Sequence, residues 1–240
     1  MPGRTIAIGD IHGCSRAIKS LIETIQPSEA DRIILLGDYV DRGPDSRGVI
    51  DRLIELCTRC RLIPLLGNHD QMMLDAIDGA PPFAWYENGG LEAIDSYGPG
   101  RDPGAIPKEH ADFLRSCLSY FETESHIFVH ANYDPDVAMK EQGVAMLRWA
   151  SLRSFIPGPH ESGKTVIAGH SSQKSGKILD LGHLICIDTY CYGGGWLSAL
   201  EIASGQVWQV DRKGNPNTRR SAVRQRGTGG PSSGWAGACG

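Results

Sequence analysis

The sequence predicts an α/β fold, with a parallel sheet in the N-terminal part and a second group of strands after residue 126. Over residues 4–70 short apolar runs alternate with helical patterns at roughly thirty-residue spacing, the rhythm of strand–helix–strand crossover units. Three successive apolar runs end in Gly-Asp, Gly-Asp and Gly-Asn. In open α/β sheets the carboxyl ends of strands are where ligands bind.

Residues 4–9 read as a strand that ends at Gly9-Asp10. Ala17, Ile18, Leu21, Ile22 and Ile25 then recur at helical spacing, and Pro27 stops that helix. The run Ile33-Ile34-Leu35-Leu36 is a fully buried strand by pattern, ending at Gly37-Asp38. Val49, Ile50, Leu53, Ile54 and Cys57 form the apolar face of a second helix, with Asp45 as its N-cap after Pro44. A third strand over 62–66 ends in Gly67-Asn68-His69-Asp70, with a helix starting near Gln71. Residues 79–104, rich in Gly and Pro around Trp85, Tyr86 and Tyr97, read as a loop-and-helix insertion. Pro107 opens a helix through Phe113, Leu114, Cys117 and Leu118. Strand patterns return at 126–130 and 165–170. Three more, around 183–187, 197–202 and 206–210, are joined by glycine-rich turns and read as an antiparallel meander.

Hydrophobic residues at 40% and charged residues at 22% are ordinary globular values, and no apolar run is long enough to span a membrane. A strand-like pattern begins at Thr5, which leaves no room for a secretory signal, and the seven cysteines are an odd set. Reduced thiols and a cytoplasmic location are expected. The net charge of −4 is unevenly spread. All 28 acidic residues precede Arg212, while six of the 24 basic ones follow Asp211, leaving a body of −10 and a tail of +6. The catalytic domain is expected over 1–213, and 214–240 as a disordered basic tail rich in Gly, Ser and Arg. With Trp235 its one aromatic residue, that tail is expected to be solvated, not a nucleic-acid contact.

Asp38 and Asp41 stand three apart in Gly37-Asp38-Tyr39-Val40-Asp41-Arg42-Gly43. Two carboxylates so close repel unless a cation lies between them or one has its own partner. The strand ends together offer Asp10, His12, Asp38, Asn68, His130 and His170. Singly, such residues are turn formers or satisfied core histidines. Together they are a ligand set of oxygen and imidazole without sulfur, suited to Mn²⁺, Fe²⁺ or Zn²⁺. Six protein ligands exceed what one ion takes alongside water, so two ions about 3.5–4 Å apart are expected, sharing one carboxylate.

Gly9-Asp10-Ile11-His12-Gly13, then Gly37 to Gly43, then Gly67-Asn68-His69-Asp70 resemble the three signature motifs of the calcineurin-like metallophosphoesterases. More narrowly they resemble the phosphoprotein-phosphatase branch, including small bacterial and phage serine/threonine phosphatases. Val129-His130-Ala131 and Gly169-His170 match the later histidine motifs, so the resemblance covers about residues 4–210. It implies an α/β/β/α sandwich of two mixed β-sheets flanked by helices. It also implies two divalent ions, Mn²⁺ first, with Asp10 and His12 on one, Asn68, His130 and His170 on the other, and Asp38 shared. By the same resemblance His69, oriented by Asp41, is the general acid, and a hydroxide shared by the metals attacks phosphorus in line. Arg42 and a second arginine, Arg148 or else Arg153, bind phosphate oxygens alongside Asn68 and His69.

The expected substrate is a phosphorylated protein. The alternative is a symmetrical dinucleoside polyphosphate such as diadenosine tetraphosphate, and a remote one is an inactive scaffold. An acid at position 41 is, within this resemblance, the habit of the protein phosphatases. His110, His126, His160 and His183 are read as structural or solvated, Cys57 and Cys60 as lacking the second pair a zinc site needs, and Gly193-Gly194-Gly195 as a turn near the site mouth.

Overall fold

The computed structural model describes residues 3–218 and Val223. The first half runs β1 (Thr5–Ile8), α1 (Ser15–Ile25), β2 (Arg32–Leu35), α2 (Ser46–Leu56), β3 (Arg61–Pro64) and α3 (Asn68–Ile77). A one-turn α4 (Phe83–Trp85), a π-turn over Tyr86–Gly90, α5 (Leu91–Ser96) and α6 (Lys108–Arg115) follow. The second half holds β4 (Tyr120–Glu122), β5 (His126–Val129), α7 (Val144–Trp149), β6 (Thr165–Ala168), β7 (Leu179–Asp180), β8 (Leu184–Cys186), β9 (Leu197–Glu201) and β10 (Val207–Val210).

These strands form two mixed five-stranded sheets, ordered β10-β9-β1-β2-β3 and β4-β5-β6-β8-β7. The period of two in the strands decides how they pack. Ile6, Ile8, Ile33 and Leu35 point to the layer of α1 and α2, whose Ile18, Leu21, Val49 and Leu53 cover them. Ala7, Ile34 and Ile63 point the other way and meet Phe128, Ile167 and Ile185 of the second sheet. Val129, Val166 and Leu184 then turn outward to Tyr133, Leu147 and Leu152. A strand buried on both faces must be apolar at every position, which is why these runs do not alternate. The result is the α/β/β/α sandwich of two mixed sheets with helices outside.

Local choices follow the residues. Asp45 Oδ1 accepts from Gly48 N at 2.9 Å and caps α2, while Gln26 takes the left-handed conformation that ends α1 before Pro27. Helix α3 starts at Asn68, earlier than the expected Gln71, because Asp70 accepts from Gly67 N at 3.0 Å and closes the first turn. Helix α6 stops at Arg115, short of Cys117 and Leu118. Leu118 leaves it to exchange hydrogen bonds with Pro64 and Leu66 at the end of β3.

The expected meander of three strands is corrected. Of the three, β8 lies in the second sheet, parallel to β6, while β9 and β10 pair antiparallel with each other in the first sheet, beside β1. The chain crosses from one sheet to the other over 187–196, held by Ile187 N to Ala168 O and Gly9 N to Ser198 O. Residues 214–218 turn back along the first sheet, with Asn217 N on Gln209 O and Ser20 Oγ on Gly214 O. From 219 onward, Val223 apart, the expected basic tail lies outside the described residues, as do Trp235 and Cys239. The six described cysteines are free thiols, and among the described residues no helix is long and apolar enough to cross a membrane.

One ion pair anchors the first strand. Arg4 donates to Asp31 Oδ2 at 2.7 Å, and Arg4 N and Ser28 N donate to the same carboxylate. Arg4 thereby holds the Asp31 carboxyl well below the usual carboxylate range against the opposing effect of burial. Asp31→Asn is expected to lower the unfolding free energy at neutral pH by about 1–3 kcal/mol. Because the folded value is depressed, this stabilisation is fully present above the unfolded value of about 4 and is lost progressively as pH falls from there through the much lower folded value. Urea titrations of both proteins at pH 7 and pH 3 check this, the gap narrowing at the lower pH.

Candidate metal centre

The strand ends bring Asp10, Asp38 and Asn68 of the first sheet to His130 and His170 of the second, with His12, His69, Asp41 and Arg42 between them. At each strand end the chain must turn sharply. His12 (φ 46), Asp38 (φ 53), Asp41 (φ 71), Arg42 (φ 65) and His170 (φ 59) all sit in the left-handed region, which is strained for residues with a Cβ. Such positions cost about 1–3 kcal/mol each and persist where the surroundings over-determine them. Gly37 lets β2 end this close to its neighbours, since a Cβ there would stand 2.8 Å from His130 Nδ1.

The imidazoles are oriented by backbone carbonyls. His12 Nδ1 lies 3.0 Å from the Val40 carbonyl and His130 Nδ1 lies 2.7 Å from the Leu36 carbonyl. A carbonyl only accepts, so each Nδ1 carries the proton and each Nε2 keeps its lone pair. His12 Nε2 faces Asp38 Oδ2 at 3.5 Å, and His130 Nε2 faces Asp38 Oδ1 at 3.4 Å. Asn68 Oδ1 stands 3.0 Å from His130 Nε2 and 2.9 Å from His170 Nδ1. Burial pushes His12 down to about 3 and His170 down to about 4, so both are neutral at physiological pH. Burial alone would push Asp38 up, but His130, His69, His12 and His170 reverse this and hold it low.

Lone pairs thus face lone pairs across both edges of one carboxylate. A cation on each side would satisfy that arrangement, which the Arg42 guanidinium at His12 Nε2 and the His69 N–H at Asp38 Oδ1 meet only in part. Among the described residues, two groups of three have donor atoms within 4.8 Å of one another: His12, Asp38 and His69, and Asp38, His130 and His170. Asp38 belongs to both. The residues fit a binuclear metal centre with nitrogen and oxygen donors.

The other expected site residues fall around this pair. Asp10 is buried against it, but both its oxygens accept from His170 N, at 3.1 and 2.9 Å, and His69 stands in the first triad instead. His69 Nδ1 meets Asp41 Oδ2 at 2.6 Å. Burial would lower His69, but Asp38 and Asp41 outweigh it and raise its pKa. Arg42 Nη1 reaches His12 Nε2 at 2.9 Å, with its guanidinium 4.9 Å from the centre of the Tyr192 ring. Arg148 is held by Gln71 Oε1 and Ser119 Oγ, and its buried Nε has no hydrogen-bond partner among the described residues. Arg153 donates to the Ser172 carbonyl.

Four residues escaped the sequence reading. Asp70 accepts from Asp38 N and Tyr39 N, fixing the loop after β2. Asp188 accepts from Ser172 Oγ and Tyr190 N, fixing the loop after β6. Tyr192, on the turn before Gly193, packs edge-on to His12. Trp85 Nε1 donates to Asp41 Oδ1 at 2.8 Å. Only Asp70 carried a signal, its place in the third motif.

The model of the calcineurin-like phosphoesterase family matches residues 3–170. A serine/threonine-protein phosphatase 1 of Salmonella typhimurium is 40% identical over 204 residues, covering 81% of this chain and 90% of that protein. A symmetrical bis(5'-nucleosyl)-tetraphosphatase of Coxiella burnetii is 33% identical over 162 residues, 66% of this chain. The chain spans about half, 51%, of that relative's length. A crystal structure of a proposed diadenosine tetraphosphatase superposes with a TM-score of 0.68 at 22% identity, covering 88% of this chain and 94% of that one, a likeness of fold.

Proposed function

We propose, for a chain that belongs to the calcineurin-like phosphoesterase family, the metal-dependent hydrolysis of a phosphoric ester or anhydride at these strand ends. The observation that carries the reading is Asp38, whose two oxygens face two imidazole lone pairs on opposite sides. Asp10, His12, Asp38, Asn68, His130 and His170 would hold two divalent ions, Mn²⁺ the first expectation. Such a pair supplies a nucleophile at neutral pH and neutralises phosphoryl charge. Arg42 offers its planar fork to the phosphoryl oxygens, with its face steadied by Tyr192. Arg148, with one N–H unpaired, is the second arginine to expect there. His69 uses Nδ1 to hold Asp41, which leaves Nε2 to hand a proton to the leaving oxygen.

Two substrates fit. Symmetrical cleavage of dinucleoside tetraphosphates is favoured by the several relatives that bear that name. Dephosphorylation of phosphoserine or phosphothreonine is favoured by the His69–Asp41 pair and by the near full-length phosphatase relative. The chemistry differs at the leaving group. A serine alkoxide needs a proton as it departs, whereas a nucleoside diphosphate leaves as a stable anion. The test offers diadenosine tetraphosphate and a phosphoserine peptide side by side to the Mn²⁺-loaded full chain, with a chelated control. ADP with an untouched peptide supports the first substrate, and phosphate from the peptide alone supports the second. Metal binding with neither product overturns both.

A further inference from the structure

Trp85 belongs to the insertion after α3, outside the motifs and 44 positions from Asp41, yet its indole reaches the Asp41 carboxylate. Asp41 Oδ2 meets His69 Nδ1 at 2.6 Å, and the opposite oxygen, Oδ1, accepts from Trp85 Nε1 at 2.8 Å. We propose that Trp85 is a positioning residue for leaving-group protonation, holding Asp41 so that Asp41 holds His69. This rests on the reading of His69 as the general acid.

The physical need is specific. The terminal torsion of an aspartate is broad and two-fold, so one hydrogen bond to a histidine leaves the carboxylate free to rock. A donor on the second oxygen removes that freedom. All three groups are buried, with relative exposures of 2% for Trp85, 0% for Asp41 and 2% for His69, so water does not stand in for the indole. Burial pushes the Asp41 carboxyl up, and the His69 and Trp85 hydrogen bonds oppose that. A buried carboxylate with both oxygens paired is far less costly than one with an oxygen left bare.

The indole is itself seated. A Cβ at Gly90 would stand 2.6 Å from two of its ring atoms, so any larger residue there displaces it. One residue earlier, Gly89 (φ +104) accepts from Arg42 N at 3.0 Å, and a Cβ on it would stand 2.6 Å from Arg42 Cγ. One π-turn therefore bears on both the acid's holder and the phosphate-binding arginine. In the step it serves, the bond from phosphorus to the leaving oxygen breaks as His69 Nε2 gives that oxygen its proton. A water oxygen bonds to phosphorus, and the proton that water releases restores His69.

The test compares Trp85→Phe, Gly90→Ala, Asp41→Asn and His69→Asn with the unaltered metal-loaded chain, on an alkyl phosphate and on p-nitrophenyl phosphate. The nitrophenolate leaves without a proton, so acid positioning is felt on the alkyl ester alone. Trp85→Phe is expected to lower kcat on the alkyl ester about tenfold or more and on the aryl ester under about threefold, with KM unchanged. Gly90→Ala, which keeps the indole but shifts it, is expected to show the same selectivity. An independent readout is the indole N–H resonance of Trp85 in the protein without metal, expected to move in Asp41→Asn. Equal losses on both esters in Trp85→Phe, or an indole resonance indifferent to Asp41→Asn, overturns the proposal. If His69→Asn itself shows no leaving-group selectivity, the general-acid reading falls, which is a separate result.

Discussion

Asp38→Asn is expected to lower kcat/KM by at least about a thousandfold and to reduce bound metal from two ions per chain to one or none. A loss of that size corresponds to about 4 kcal/mol of transition-state stabilisation, the scale of a metal clamp on a phosphoryl group. The reason lies in the symmetry of the carboxylate. Its Oδ1 looks to His130 and Oδ2 to His12, at 3.4 and 3.5 Å. An amide supplies one oxygen and no charge, so one imidazole lone pair faces an N–H₂ group and cations held by the two triads would lose the anion common to both. The fold is expected to survive, because Asp38 Oδ1 also accepts from His69 N at 3.0 Å and an amide oxygen can take over that bond. Metal analysis beside circular dichroism checks both halves. Two ions and full activity retained in the Asp38→Asn variant would remove Asp38 from the centre.

His69→Asn is expected to lower kcat on an alkyl phosphate about 10²–10⁴-fold, the usual weight of a general acid, with KM little changed. His69 is suited to the task because its Nδ1 is held by Asp41 at 2.6 Å and the neighbouring Asp38 and Asp41 carboxylates favour its protonated form against burial. Asparagine keeps a donor near Asp41 but has no transferable proton. Steady-state kinetics on alkyl and aryl esters check the result, since uniform losses on both would mark His69 as a site-shaping residue.

Much of this centre was legible in the chain because each ligand follows a buried strand. An apolar run such as Ile33 to Leu36 must be sheet core, and a carboxylate placed where it ends has only the sheet's rim to occupy. Asp10, Asp38, Asn68, His130 and His170 were readable for that reason. Trp85 was not, since the helical turns around it are too short to show a period and its hydrogen bond spans 44 positions. Tyr192 and Asp188 lie where the chain crosses between sheets, a path that the spacing of glycines made look like a simple hairpin. β4 and β7, at three and two residues, are shorter than any alternation that a pattern could reveal. Arg148 and Arg153 stay close in sequence, and only their different partners, Gln71 and Ser119 against the Ser172 carbonyl, separate them.

The centre draws on both sheets, with donors from Asp10 to His170 meeting where two layers of the sandwich abut. An ion bound there is also a staple. It ties the N-terminal sheet to the C-terminal one across a long stretch of chain, so metal affinity and resistance to unfolding are two readings of one free energy. Growth conditions that starve the chain of its ion would then thin its folded population as well as silence it.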